Sequence, residues 1–175
     1  MRTNLPVTQN EYQFPESETL LSTTDISSHI TYANAAFIRT SGFEAEQLMG
    51  QPHNMVRHPD MPAEAFADMW QSLKAGQSWR ALVKNRRQNG DHYWVVANAA
   101  PMRRNGQVTG YLSVRTKPSR VEVEATEKLY ARFKEGRANG LAFDRGLLVR
   151  TGLMRWASAS QLLPTAWRVR LPLAG

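Results

Sequence analysis

The chain has 175 residues, of which 42% are apolar and 21% charged, enough for one packed domain of ordinary size with a tail. It contains no cysteine, which excludes disulfides, thiolate metal sites and a cysteine nucleophile; with no run of about 18 apolar residues and no apolar leader, neither a bilayer span nor a signal peptide is expected in it. The net charge of +7 is lopsided, +2 over residues 1–118 and +5 over 119–175, with five arginines and no acid after Asp144. A near-neutral body with a basic end is expected to meet anionic lipid or an acidic partner at that end rather than to line a nucleic-acid groove.

Residues 1–18 are polar, carry two prolines and show no period, so they read as a flexible arm. Leu20 and Leu21 open a short strand ending at Thr24-Asp25, and 29–33 form a second. Asn34 then stands where a side chain can cap the helix that Ala35 begins. Ser41-Gly42 stops that helix and Phe43-Glu44 starts a shorter one. Residues 51–62 hold three prolines within eleven positions, too many for a long helix, together with His53, Arg57, His58 and Asp60, more chemistry than a connector needs. Pro62 suits the first turn of a helix in which Phe66, Met69, Trp70 and Leu73 share an apolar face, closed by Gly76. Residues 79–86 alternate as a strand; Asn89-Gly90 and Asn105-Gly106 are hairpin turns, and strands over 92–102 and 108–116 complete an antiparallel meander whose sheet the helices cover on one face. Beyond Pro118 a helix over 121–134 is expected, with Val121, Ala125, Leu129 and Phe133 on its apolar face. Residues 141–175 are expected to have weak or partner-dependent structure.

The predicted class is α+β, with five antiparallel strands and short helices in the order β-β-α-α-α-β-β-β. That is the element order of a PAS domain. Residues 19–116 resemble the PAS sensor of bacterial aerotaxis receptors, and the motifs that carry the resemblance are LSTTD at 21–25, GQPHNMVRHPDMP at 50–62, AFADMW at 65–70, and VKNRR at 83–87 followed after one residue by NGDHYWV at 89–95. The resemblance implies a three-part chain: arm 1–18, flavin-binding PAS domain 19–118, and basic connector 119–175. It also implies FAD held without a covalent bond, whose redox state reports cellular electron flow. The implied partners are a second copy of the chain, a HAMP and signalling segment, and through these a chemotaxis kinase. The implied place is the cytoplasm, at the inner face of the inner membrane. The 175 residues include neither the anchor nor the signalling segment.

A flavin pocket needs a slot for a flat ring, amides for its polar edge and donors for its phosphates. Trp79, Ala81, Val83 and Asn85 share one strand face, with Ala81 leaving room for a ring and Asn85 offering donor and acceptor. Asn85 is equally readable as an outer-face residue beside a turn; the resemblance favours the flavin. Arg57 suits phosphate, and His58 and Asp60 are placed to hold adenine or ribose or to position Arg57; the family needs this segment for FAD. Asn34 is read both as a helix cap and as a pocket residue, and Asn98 as reaching either flavin or solvent. Phe66 and Trp70 are core residues first, with Phe66 also able to touch the ring. Tyr93 and Trp94 point to opposite faces, and His53 is an exposed helix-edge residue or a ligand. The missing Cys separates the chain from blue-light LOV domains. Haem on His53 or His58, a ligand-free interaction module, a nucleic-acid module around Arg86, Arg87, His92 and Tyr93, and an enzyme are the rival readings. No metal-ligand spacing, phosphate loop or nucleophile elbow supports them, so no nucleic-acid partner and no catalysis are expected.

Overall fold

Turn chemistry organises the sheet. In the computed structural model, which describes residues 2–151, the two Asn-Gly pairs close the hairpins that join β3 (Trp79–Arg86), β4 (His92–Arg104) and β5 (Gln107–Thr116). At the second, Asn105 and Gly106 stand at φ 51° and 77°, the left-handed region that Asn and Gly accept most cheaply. β1 (Leu20–Asp25) pairs with β5, and β2 (Ile30–Ala33) with β1, giving an antiparallel sheet in the order β2-β1-β5-β4-β3. The α+β class, the five antiparallel strands and their order along the chain expected from the sequence are present.

The passage from β2 to β3 crosses one face of the sheet as α1 (Ala35–Ser41), α2 (Ala45–Leu48), a single 3₁₀ turn (His53–Val56) and α3 (Ala63–Lys74). Asn34 fixes the crossing. Its Oδ1 accepts from the Phe37 N–H at 2.9 Å and the Leu21 N–H at 3.1 Å, while its Nδ2 donates to the Thr19 carbonyl at 2.9 Å. One amide thus caps a helix and ties it to β1. Leu20, Ile30, Phe37, Leu48, Val56 and Met61 are fully buried between helices and sheet.

Residues 2–18, expected as a flexible arm, run as an ordered strap beside the β3–β4 hairpin. Thr8 N–H donates to the Gly90 carbonyl (2.9 Å) and Tyr12 N–H to the His92 carbonyl (2.7 Å), while the Asn10 carbonyl accepts from His92 N–H (3.0 Å). Phe14 is 2% exposed and meets Tyr93 edge-on. The strap has one apolar anchor and many main-chain bonds, so it leaves no periodic trace in sequence.

The sheet's other face is also partly covered. α4 (Arg120–Lys134) begins at a Ser119/Glu122 capping box and lays Tyr130 over Trp94. The Tyr130 hydroxyl donates to the Leu82 carbonyl at 2.6 Å. That tether and the cap set the helix's rotation. Val123 and Tyr130 are buried with Thr126 and Phe133 half-buried, and Val121, expected inside, is 77% exposed. A further hairpin, β6 (Leu141–Asp144) and β7 (Leu147–Arg150), packs Phe143 on Tyr130 and Phe133. This order stands where weak structure was expected over 141–150; residues 152–175 of that expectation lie outside the described residues. Among the described residues no helix is long and apolar enough to cross a membrane.

Tyr130→Phe removes one buried hydrogen bond with little change of shape. It is expected to cost about 1 kcal/mol of unfolding free energy, read as a lower urea midpoint with an unchanged slope.

Candidate functional site

The inner face of the sheet and the helical crossing enclose a cavity of about 300 Å³, at the small end for an organic ligand. Alternation on β3 turns Trp79, Val83 and Asn85 into it, and the register pairs these with Ala99, Val95 and Tyr93 on β4. Val56, Phe66, Met69 and Leu73 supply the opposite wall. The slot between them is apolar and flat-sided. Its polar groups come from separate places: Asn85 on β3, Arg57, His53 and Asn54 in the proline-broken segment, Arg115 and Ser113 on β5, Ser22 and Thr24 on β1, and Ser27-Ser28 between β1 and β2.

Arg57 points inward because the segment carrying it runs beside edge strand β3, with Arg57 bridged to Asn85. Asn4 of the N-terminal strap holds the Arg57 carbonyl at 2.9 Å. The guanidinium lies over the Phe66 ring, 3.5 Å from its centroid, and burial lowers its pKa to about 10. Arg115 is 2% exposed; its Nη2 donates to His53 Nε2 at 2.8 Å and to the Ser22 hydroxyl, and its charge sits over Phe37. Because an arginine only donates, His53 Nε2 is an acceptor and its proton resides on Nδ1. Burial, then the charges of Arg115 and Arg57, push His53 down to about 3. No Asp or Glu lines the cavity, and neither arginine forms an ion pair among the described residues. Arg57 Nε, Asn54 Oδ1 and Thr24 Oγ1, all of lining residues, are buried without partners, as is the Tyr93 hydroxyl beside Asn85. The site is therefore a mainly apolar cavity with positive charge that no carboxylate in its lining offsets and with orphaned polar atoms, an arrangement that can receive a ligand bringing hydrogen-bond acceptors.

Of the eight residues singled out in the sequence, Arg57, Phe66, Trp79 and Asn85 meet in this cavity. The other four face elsewhere. Asn34 is the helix cap described above. Asn98 is on the outer sheet face, accepting from Arg80 Nη1 at 3.0 Å. His58 and Asp60 also lie away from the slot, because neighbours along an extended segment point to opposite sides. His58 is 3% exposed, meets His92 edge-on, accepts from the Asp60 N–H at 3.0 Å, and is held at about 4 by burial and by Lys84. Asp60 binds Lys84 Nζ at 2.7 Å; against the opposing effect of burial, that contact holds its carboxyl below the usual range. Their observed task is to fix the loop that aims Arg57. Tyr93 lies on the inner face of β4 and Trp94 on the outer face against Tyr130, and neither lines the cavity. His53 is not an exposed helix-edge residue: its ring stacks on Phe37 in the cavity wall.

Arg115 and Ser22, which meet His53 to form the polar centre, are the residues that sequence reasoning missed. The alternation Tyr111, Ser113, Arg115 was the only local signal.

Three histidines are held neutral, His53, His58 and His92, each by burial first. An unfolded imidazole takes up its proton near pH 6.5, so their stabilising effect is whole above that pH and is lost as pH falls toward 4 and then 3. Unfolding free energy should drop between pH 7 and 5 by up to about 2 kcal/mol per fully buried histidine. His53→Gln should flatten that slope in urea titrations at the two pH values.

Residues 30–115 match the family described as PAS fold. The chain is 51% identical over 164 residues, 94% of its length, to the aerotaxis receptor of Escherichia coli, of which it spans 32%. It is 32% identical over 100 residues to the nitrogen fixation regulatory protein of Klebsiella pneumoniae, covering 57% of this chain and 20% of that one. Among solved structures, the dark state of the Aureochrome1 light-oxygen-voltage domain superposes with a TM-score of 0.56 at 22% identity, over 66% of this chain and 84% of that chain. A light-oxygen-voltage domain studied with a flavin analogue gives the same score at 23% identity, over 65% and 86%. The inward-facing strands, the helical crossing and the cavity between them thus belong to a PAS domain, the sensor domain of the aerotaxis receptor family.

Proposed function

We propose that the cavity takes the ring system of FAD and that the chain is the redox-sensing part of an aerotaxis receptor, signalling without catalysing a reaction. The observation that carries this reading is a buried Arg115 and a half-buried Arg57 lining an apolar cavity with no carboxylate to neutralise them. Flavin supplies reversible electron uptake, and each electron gained adds the negative charge that this lining lacks. The chain's own residues do the rest. Asn85 presents an amide to the polar edge of the ring and can donate or accept by turning over. Trp79 and Val83 face Phe66 and Met69 across the ring plane. Arg115 and Arg57 supply fixed positive charge, and His53 stays neutral because burial, and then the charge of Arg115 at its Nε2, oppose its protonation. A volume of about 300 Å³ suits the ring but not the whole dinucleotide, so the remainder of FAD leads out past Arg57 and the Ser27-Ser28 rim.

The identity of half of the residues with an aerotaxis receptor supports FAD as the flavin and air or energy taxis as the response. It also supports a homodimer, a HAMP and signalling segment acting on a chemotaxis kinase, and a place at the cytoplasmic face of the inner membrane. A haem reading finds less support, since His53 offers the cavity no free Nε2 and His58 faces away from it.

Purified protein should show visible flavin absorption that bleaches with dithionite, and should release FAD on heating; material that stays colourless and takes up no FAD overturns the reading. Arg57→Ala removes a charge-assisted contact and should weaken FAD by roughly 10- to 100-fold. His58→Ala, acting only through the loop, should weaken it less, as read by FAD titration. Arg115→Gln should make the bound flavin harder to reduce, by several tens of millivolts in a spectroelectrochemical titration, because a buried cation is gone.

A further inference from the structure

Asp68 is a buried carboxylate in the middle of α3, 8% exposed, and the cavity does not use it. Its Oδ2 accepts from the Trp79 indole N–H at 2.8 Å and from the Gly146 N–H at 2.7 Å; its Oδ1 accepts from the Arg145 N–H at 3.0 Å. Three donors therefore converge on one charge from two directions. Trp79 is a wall of the cavity, and Arg145-Gly146 is the turn of the β6–β7 hairpin. A second contact seats the same turn. The Arg80 N–H donates to the Arg145 carbonyl at 3.3 Å, and a Cβ on Gly146, which stands at φ +83°, would lie 1.8 Å from the Arg80 carbonyl oxygen. The backbone approach allows no residue but glycine there.

We propose that Asp68 is a positioning residue that couples the cavity to the connector. The carboxylate is satisfied by N–H groups shared between a cavity wall and the connector turn, so the two compete for one buried charge. A ligand or a charge that moves the Trp79 indole changes the hold on Arg145 and Gly146, because a buried carboxylate deprived of one strong donor must strengthen or lose the others. The indole N–H reports the cavity, and the hairpin passes that report toward the basic segment that follows. By reciprocity, loosening the turn must alter ligand affinity by the same factor as the ligand loosens the turn. The seating of the turn stands on geometry alone; its trigger rests on the flavin reading.

The test is amide hydrogen exchange on the full 175-residue chain, without and with FAD, in wild type, Asp68→Asn and Gly146→Ala, with FAD titrated by absorbance on the same samples. Asn keeps the shape of Asp68 but turns one acceptor into a donor facing an N–H. Both variants should speed exchange at Arg145 and Gly146 by about tenfold or more, while Val95 and Ala97 on β4 stay within roughly twofold. FAD should shift exchange at the same two amides in wild type and leave them unmoved in Asp68→Asn. If neither variant alters the two amides, the seating is overturned. FAD that binds wild type without moving them overturns the coupling. If FAD does not bind, the flavin reading fails and takes the trigger with it, while the ligand-free variants still decide the seating. If Asp68→Asn exchanges faster throughout, Gly146→Ala decides: release confined to the turn with altered FAD affinity upholds the coupling, and release with unaltered affinity overturns it.

Discussion

Two guanidinium groups facing one cavity, Arg115 buried and Arg57 half-buried, with no carboxylate in its lining, set the character of this domain. Placing a cation in an apolar interior costs several kcal/mol unless hydrogen bonds and polarisable surfaces replace water. Here the replacement is assembled from distant parts of the chain. Arg115 takes the lone pair of His53 and the hydroxyl of Ser22 and rests on Phe37, while Arg57 rests on Phe66 and keeps a buried Nε without a partner. An acid in the slot would have neutralised the pair more cheaply and would have repelled any ligand that gains electrons. Its absence leaves stability on the table that a bound, electron-rich ring can recover, and links the fold's stability to its occupant.

The surrounding elements serve to keep those two charges aimed. Arg57 points inward only because the proline-broken segment runs as an extra course along β3, and that course is held from both sides. Asn4 of the strap binds the carbonyls of Asn54 and Arg57, and on the outer face Asp60 pairs with Lys84 while His58 packs against His92. Removing either support would let the segment rotate and turn Arg57 out of the slot. The Arg-His-Pro-Asp run is thus divided, with the arginine in the cavity and its two polar neighbours bracing the loop from behind.

The sheet was legible in the sequence because its rules are local. Asn-Gly pairs mark turns, alternation assigns faces, and a cap residue opens a helix, so Trp79 and Asn85 could be put on one strand face, while only the resemblance turned that face toward a flavin. Asn34 shows the limit of such rules, since the same amide satisfies cap and pocket readings and only its bonds to Leu21 and Thr19 decide between them. In the segment 51–62 prolines erase periodicity, and no local rule says which side His58 faces; the pairing of Arg57 with Asn85 does. Arg115 was invisible for a related reason. A strand arginine reads as solvated until His53 and Ser22, 62 and 93 positions away, are found to meet it. The strap is held chiefly by main-chain bonds, and the 145–146 turn offers only main-chain N–H groups to the distant Asp68 carboxylate, so neither has a local residue signature.

These long-range contacts also explain how a small change inside can be felt outside. Interiors this closely packed do not deform continuously; a wall that moves must take its partners along or release them. β3 is the strand where both options meet. Its inner side carries Trp79 and Asn85 against the cavity, its backbone edge receives Arg57 and the Arg145 turn, and its outer side gives Leu82 to Tyr130 of α4. Among the described residues β3 touches the cavity, the Arg57 segment and both connector elements, α4 and the hairpin, through bonds of its own backbone or side chains. A charge placed beside Asn85 would therefore act on a strand tied to each of them.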